Sequence, residues 1–250
     1  MLQGKRAIVT GGSRGIGKAI ARSFAEEGMS VVIASRGRQA LSAAAYELSK
    51  CTDSIVNSVV VDTGLDDSVR NLISEAKSIL GGIDILVNCA ARPGGQSTVP
   101  TLSGVTTDEF NDHMNVKVMG YLRCAREAAP IMVDQGWGRI INFAGMNAIH
   151  GYNGRAHVSA SKHATWGMTK ALAKEFGAKG ITTNIVSPGP ISGQHKDPAM
   201  AAHIADMATR VPVGRLGTSE EVAATCMLLI SEKGAFINGQ LIQVNGGTET

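Results

Sequence analysis

Short, nearly unbroken apolar runs alternate along this chain with longer stretches in which apolar residues return every three or four positions. The runs at Arg6–Thr10, Ser30–Ser35, Ile55–Asp62, Ile83–Asn88, Arg139–Phe143, Ile181–Val186 and Leu241–Val244 predict strands. Most lack polar alternation, as strands buried on both faces require. The longer stretches predict helices near Gly15–Glu27, Gln39–Lys50, Asp66–Leu80, Thr107–Asp134, Gly154–Ala178 and Ser219–Ser231. Alternation of the two predicts an α/β fold, a doubly wound parallel sheet of about seven strands with helices on both faces. No repeat or linker interrupts residues 1–250, a length that suits one domain. Two stretches break the rhythm, Arg92–Ser103 and Gly189–Ala208. Both should emerge at the carboxyl edge of the sheet, where ligands bind in such folds.

Bulk properties exclude more than they identify. Hydrophobic residues make up 44% of the chain, enough for a core. The net charge is only +3 and no long Lys/Arg run occurs, so no nucleic-acid partner is expected. No apolar run is long enough to span a membrane, and the first strand begins too early to leave room for a signal peptide. A cytoplasmic protein is the expectation. Cys51, Cys89, Cys124 and Cys226 form no C-x-x-C pair and no metal-like spacing. They read as small buried residues in a reducing compartment, and no metal is expected.

Candidate chemistry begins at Thr10-Gly11-Gly12-Ser13-Arg14-Gly15-Ile16-Gly17, which follows the first strand and opens a helix. Glycines there let the backbone turn tightly and approach a pyrophosphate, while the helix amino terminus offers N–H groups to the phosphates. The second strand ends in Ala34-Ser35-Arg36, where an NAD site would present a carboxylate to the ribose. A guanidinium at Arg36, with Arg14 as a second cation, suits a 2′-phosphate instead. NADP(H) is the expected cofactor.

The Thr-Gly-x-x-x-Gly-x-Gly spacing, Asn88-Cys89-Ala90-Ala91, His157-Val158-Ser159-Ala160-Ser161-Lys162 and Ser187-Pro188-Gly189 together resemble the short-chain dehydrogenase/reductase family over nearly the whole chain. The resemblance implies a Rossmann-type sheet. It implies NADP(H) held by Gly11, Ser13, Arg14, Gly15, Ile16, Gly17, Ser35 and Arg36, with Asp62 next to the adenine. Asn88 and Ala90 would sit at the central strand, Lys162 on the nicotinamide ribose, and Pro188 and Gly189 over the nicotinamide. A small carbonyl or alcohol substrate follows, and a homotetramer or homodimer paired through the helices at Thr107–Asp134 and Gly154–Ala178. Met119, Leu122, Trp166 and Met168 are candidate contacts in that pairing.

At the catalytic end the pattern changes. The family signature is Tyr-x-x-x-Lys, and here Val158 stands four residues before Lys162, on the same helix face. Gly145, thirteen residues before Val158, stands where the family has a serine. A valine exchanges no proton and a glycine orients no carbonyl; loss of a positioned general acid removes roughly 10² to 10⁴ in rate. Asn115 matches the family asparagine, which holds a water against the lysine. Tyr152 and His150, in the loop before the helix, are further side chains able to move a proton. His157 could do so as well, but it faces about 100° away from Val158.

Three readings follow. The first is an NADP(H) oxidoreductase with an altered proton route, through Tyr152, His150 or an Asn115–water–Lys162 relay. The second is a nucleotide-binding member without turnover. The third is a non-redox enzyme, such as a hydrolase or lyase, on the same pocket. If that pocket is open to water, Val158→Tyr with Gly145→Ser is expected to fit with modest strain and to raise ordinary carbonyl reduction.

Overall fold

Apolar strands that bury both faces must lie between two layers of helices, and they do so here. The computed structural model describes residues 2–91, 102–151, 153–193, 206 and 208–248. Among them, β1 (Arg6–Thr10), β2 (Ser30–Ser35), β3 (Val56–Val60), β4 (Ile85–Asn88), β5 (Gly138–Phe143), β6 (Ile181–Pro188) and β7 (Leu241–Val244) form one parallel sheet. The strand order is β3-β2-β1-β4-β5-β6-β7, so the direction of winding reverses between β1 and β4. Register there is set by Thr10, which lies opposite both Ala34 of β2 and Asn88 of β4.

Alternate residues of each strand feed opposite layers. Ala7, Val9, Val31, Ile33 and Val87 pack under α1 (Gly15–Glu26), α2 (Arg38–Cys51) and α7 (Ser219–Ile230). Ile8, Val32, Leu86 and Ile140 pack on the other side, under α3 (Asp66–Leu80), α5 (Gly120–Gln135) and the carboxyl half of α6 (Ala156–Phe176). Strand and helix ends differ from the sequence-based expectation by a few residues at most, because apolar pattern marks burial rather than the last hydrogen bond. Cys51 departs from the expectation that all four cysteines are buried: it ends α2 and is exposed.

One predicted helix is not continuous. Between Thr107 and Asp134 the chain forms α4 (Thr107–Met114), a π turn at Asn115–Met119, and then α5. Thr106 starts α4 with a capping box, its hydroxyl accepting from Glu109 N at 3.1 Å while Glu109 accepts from Thr106 N at 3.0 Å. The π turn inserts an extra residue per turn and so redirects the side chains around it. Val116 and Lys117 are buried there, whereas Met119 is 40% exposed.

The amino edge of the sheet is closed by one ion pair. Asp84 accepts from Arg6 N at 2.9 Å, from Arg6 Nε at 2.7 Å and from Arg6 Nη2 at 2.9 Å. Its side chain is 6% exposed, against 25% for Arg6. Asp84→Ala should therefore leave β1 donors unpaired and cost about 1–3 kcal/mol, nearer the lower figure because Arg6 keeps some water. Urea unfolding should show a lower midpoint with an unchanged m-value.

Candidate active site

Where the winding reverses, no crossover covers the carboxyl ends of β1 and β4, and a groove of about 1190 Å³ opens there. Gly11, Ser13, Arg14, Gly15, Ile16 and Gly17 line it after β1, Ser35 and Arg36 after β2, Asp62 after β3, and Ala90 after β4. Ser192 and Gly193, which sequence reasoning did not single out, also reach it. A Cβ on Gly17 would stand 2.3 Å from Gly11 O, so only glycine lets α1 start directly on the turn. The first turn of α1 carries no acidic residue, and Arg14 at its N-cap supplies no side-chain cap. Its N–H groups are left for a ligand, and the helix dipole favours an anionic one.

Thr10 stitches the two halves of the groove together. Its hydroxyl accepts from Cys89 N and Ala90 N, each at 3.2 Å, and donates to Val87 O at 3.3 Å. Asn88, expected at the central strand beside the cofactor, is fully buried and donates to Asn142 Oδ1 of β5 at 3.0 Å. Asp62 Oδ1 accepts from Gly64 N at 2.9 Å, which fixes the carboxylate at the groove wall. Glu47, on the wall formed by α2, is neutralised by Lys18 at 2.5 Å and Arg22 at 2.8 Å, and these cations lower its pKa. Arg14 and Arg36 form no ion pair among the described residues, so their charge remains for a ligand. Pro188 ends β6, and Gly189 N donates to Val244 O at 2.9 Å. Both lie at the β6–β7 junction rather than on the groove wall.

The catalytic end is built by the turn after β5, the π turn and α6. Gly145 has φ +113 and ψ 168, a conformation essentially confined to glycine. A Cβ built on it would stand 2.6 Å from Lys162 Nζ and 3.7 Å from Pro188 O. The Lys162 amine therefore borders the space that a side chain at 145 would fill. Lys162 makes no hydrogen bond or ion pair among the described residues. Burial, and next the charge of Arg155, push its pKa down to about 8. Val158 is 3% exposed, and its carbonyl accepts from Ser161 Oγ at 2.9 Å.

Other candidate proton carriers fall differently from expectation. The side-chain amide of Asn115 donates to Gly64 O at 3.2 Å, which ties it to the loop before α3. Lys117, two residues on, is the member of the π turn that feels the charge of Lys162. It is 6% exposed and donates to Tyr121 Oη at 2.6 Å; burial, then Lys162, push its pKa down to about 7. Its only signal in the sequence is a lone cation in the apolar stretch from Val116 to Leu122. His150 is exposed, and Tyr152 lies outside the described residues, as do residues 92–101, 194–205 and 207 of the two expected substrate loops. His157 is buried edge-on to His113, ring centroids 5.3 Å apart. His113 Nδ1 meets Ser161 Oγ at 3.0 Å, and burial, with the charge of His157 next, pushes its pKa down to about 4.

No group of three or more potential metal-ligating side chains occurs among the described residues, and none of their helices is long and apolar enough to cross a membrane. Residues 11–249 match the family described as Enoyl-(Acyl carrier protein) reductase. The chain is 34% identical over 243 residues to a 3-oxoacyl-(acyl-carrier-protein) reductase of Staphylococcus aureus, covering 97% of each protein. It is 31% identical over 246 residues to the enzyme of the same name from Aquifex aeolicus, covering 98% of each. It is also 31% identical over 251 residues to a 3alpha-hydroxysteroid dehydrogenase of Mediterraneibacter gnavus, covering 100% of this chain and 99% of that one. Full-length matches of this kind, on a parallel sheet with a glycine turn at its winding reversal, make the chain a member of the short-chain dehydrogenase/reductase family.

Proposed function

We propose that this protein is an NADP(H)-dependent oxidoreductase of small carbonyl or alcohol compounds in which Lys162 itself moves the proton. Val158 and Gly145 stand where the family resemblance places tyrosine and serine, so neither usual proton-handling hydroxyl is present. The observation that carries the reading is the Lys162 amine, unpaired among the described residues and beside the space left by Gly145. An acid with a pKa of about 8 is matched to work near neutral pH.

The residues present suit a phosphorylated dinucleotide. The uncapped first turn of α1 would receive the pyrophosphate, and Arg14, Ser35 and Arg36 the 2′-phosphate, while Asp62 bounds the adenine end. A bound nicotinamide would give or take up the hydride. In the reductive direction the Lys162 ammonium donates its proton to the substrate oxygen: one N–H bond breaks, one O–H bond forms, and the neutral amine regains a proton from water. In the oxidative direction the neutral amine takes that proton. The same reading makes the protein a cytoplasmic homodimer or homotetramer. Met119 is open to a partner, whereas Trp166 and Met168 pack on the protein's own core.

Three outcomes test this. NADPH should bind more tightly than NADH in fluorescence titrations, and Arg36→Asp should reverse the order; equal affinities of the unmodified protein would remove the cofactor assignment. For carbonyl reduction, kcat should be flat below about pH 8 and fall above it as the Lys162 ammonium is lost, while alcohol oxidation should rise over the same range. Lys162→Met should abolish that limb and lower kcat by roughly 10² to 10⁴. No turnover at any pH with NADPH bound would favour the non-redox readings instead.

The expected rescue by Val158→Tyr and Gly145→Ser meets a strained backbone and a buried position. Val158 is buried rather than open to water, and a serine at 145 would be strained by a glycine-only φ, whereas the Lys162 amine, at the end of a flexible side chain, gives way cheaply. Gly145→Ser should cost about 1–3 kcal/mol in urea unfolding, and adding Val158→Tyr should not raise carbonyl reduction.

A further inference from the structure

We propose that Lys18 is a third cation of the 2′-phosphate site, held in reserve by Glu47, so that this carboxylate sets how strongly the groove prefers a phosphorylated adenosine ribose. The inference rests on the NADP(H) reading above and deepens it by naming the residues that tune the preference.

The groove does not end at the residues expected to meet the ribose. Beyond Arg14 and Arg36 it continues between α1 and α2, where Lys18, Arg22, Ala40 and Glu47 line it. Arg14, Lys18 and Arg22 follow one another at intervals of four residues, so each stands about one turn, or roughly 6 Å, along α1 from the last. Ala40, in the first turn of α2, carries only a methyl group and leaves the space over it open. Three carboxylates line the groove wall. Asp62 lies after β3 and accepts from Gly64 N, and Glu220 lies in the first turn of α7. Glu47 is the one that stands among the cations of the α1–α2 stretch.

Glu47 holds its two partners on different oxygens. Lys18 Nζ is 2.5 Å from Oε2, and Arg22 Nη2 is 2.8 Å from Oε1. Lys18 can therefore leave while Arg22 stays, and the carboxylate keeps a counter-ion. The exchange costs little, because the Glu47 side chain is 51% exposed and ion pairs in water are weak. A phosphate monoester carries about two negative charges at neutral pH, against one on a carboxylate. Bound at Arg14 and Arg36, it has Lys18 as the next cation along the same wall, and it draws that ammonium away from Glu47. An unphosphorylated ribose offers nothing to draw it. Glu47 thus competes with the 2′-phosphate, and Lys18 is the group for which they compete.

The test is calorimetric and needs no turnover. Binding of 2′,5′-ADP and of 5′-AMP, which differ only in the 2′-phosphate, is measured on the full-length protein, on Glu47→Gln, on Lys18→Met and on the double variant. Glu47→Gln should raise the preference for 2′,5′-ADP about two- to fivefold, and Lys18→Met should lower it by a similar factor. In the double variant the gain from Glu47→Gln should disappear, because the carboxylate acts through Lys18. Both single effects should shrink at about 1 M salt, where the screening length falls from about 10 Å to about 3 Å. An unchanged preference in Glu47→Gln, an equal gain for both ligands, or the same gain in the double variant would overturn the proposal. If the unmodified protein prefers 2′,5′-ADP and the variants change nothing, only this inference fails. If it does not distinguish the two ligands, the NADP(H) reading fails and takes the inference with it.

Discussion

The reversal of strand order between β1 and β4 is the constraint from which the site follows. Chain leaving β1 winds one way, through α1 to β2 and β3, and chain leaving β4 winds the other way, through α4 and α5 to β5. The carboxyl ends of the two neighbours therefore stand side by side with no connection over them. Thr10 holds them together by accepting from the first two N–H groups after β4. Deeper in, Asn88 spans from β4 to Asn142 of β5, which in turn donates to Thr169 of α6 at 3.0 Å. These buried polar links tie the groove between β1 and β4 to the helix bearing Lys162, although Asn88 Oδ1 itself finds no partner among the described residues.

Much of this frame was legible in the sequence for a simple reason. Burial on both faces imposes unbroken apolar strands, and a turn approached by phosphate demands glycine, so both constraints write directly into residue type. The runs at Arg6–Thr10, Ser30–Ser35 and Leu241–Val244 agree with β1, β2 and β7 to the residue. The π turn was not legible. Its apolar positions fit an unbroken helix, and only the hydrogen-bond pattern distinguishes it. The turn ties the Asn115 amide to Gly64 O and buries Lys117, neither of which residue type alone reveals. The conformation of Gly145 was equally hidden: a glycine in the sequence reads as a lost side chain, and only φ +113 shows that the backbone has taken up the freedom.

Those two hidden features change the chemistry in the same direction. A phenol and a hydroxyl are neutral polar groups that tolerate burial when hydrogen-bonded; an amine in the same place is either charged and costly or neutral and basic. With Gly145 leaving room, Lys162 Nζ borders the space that a side chain would fill, and desolvation brings its pKa to about 8. Lys117, more deeply buried and facing that same charge, is brought to about 7. Beyond burial, the charge of Lys162 makes Lys117 harder to protonate, while the shift of Lys162 itself comes from burial and Arg155. Gly145 and Lys162 are one arrangement, because the amine stands where a Cβ at 145 would lie. A side chain at 145 would meet the strained φ and displace the amine at once, so changes at 145 and 162 should not add.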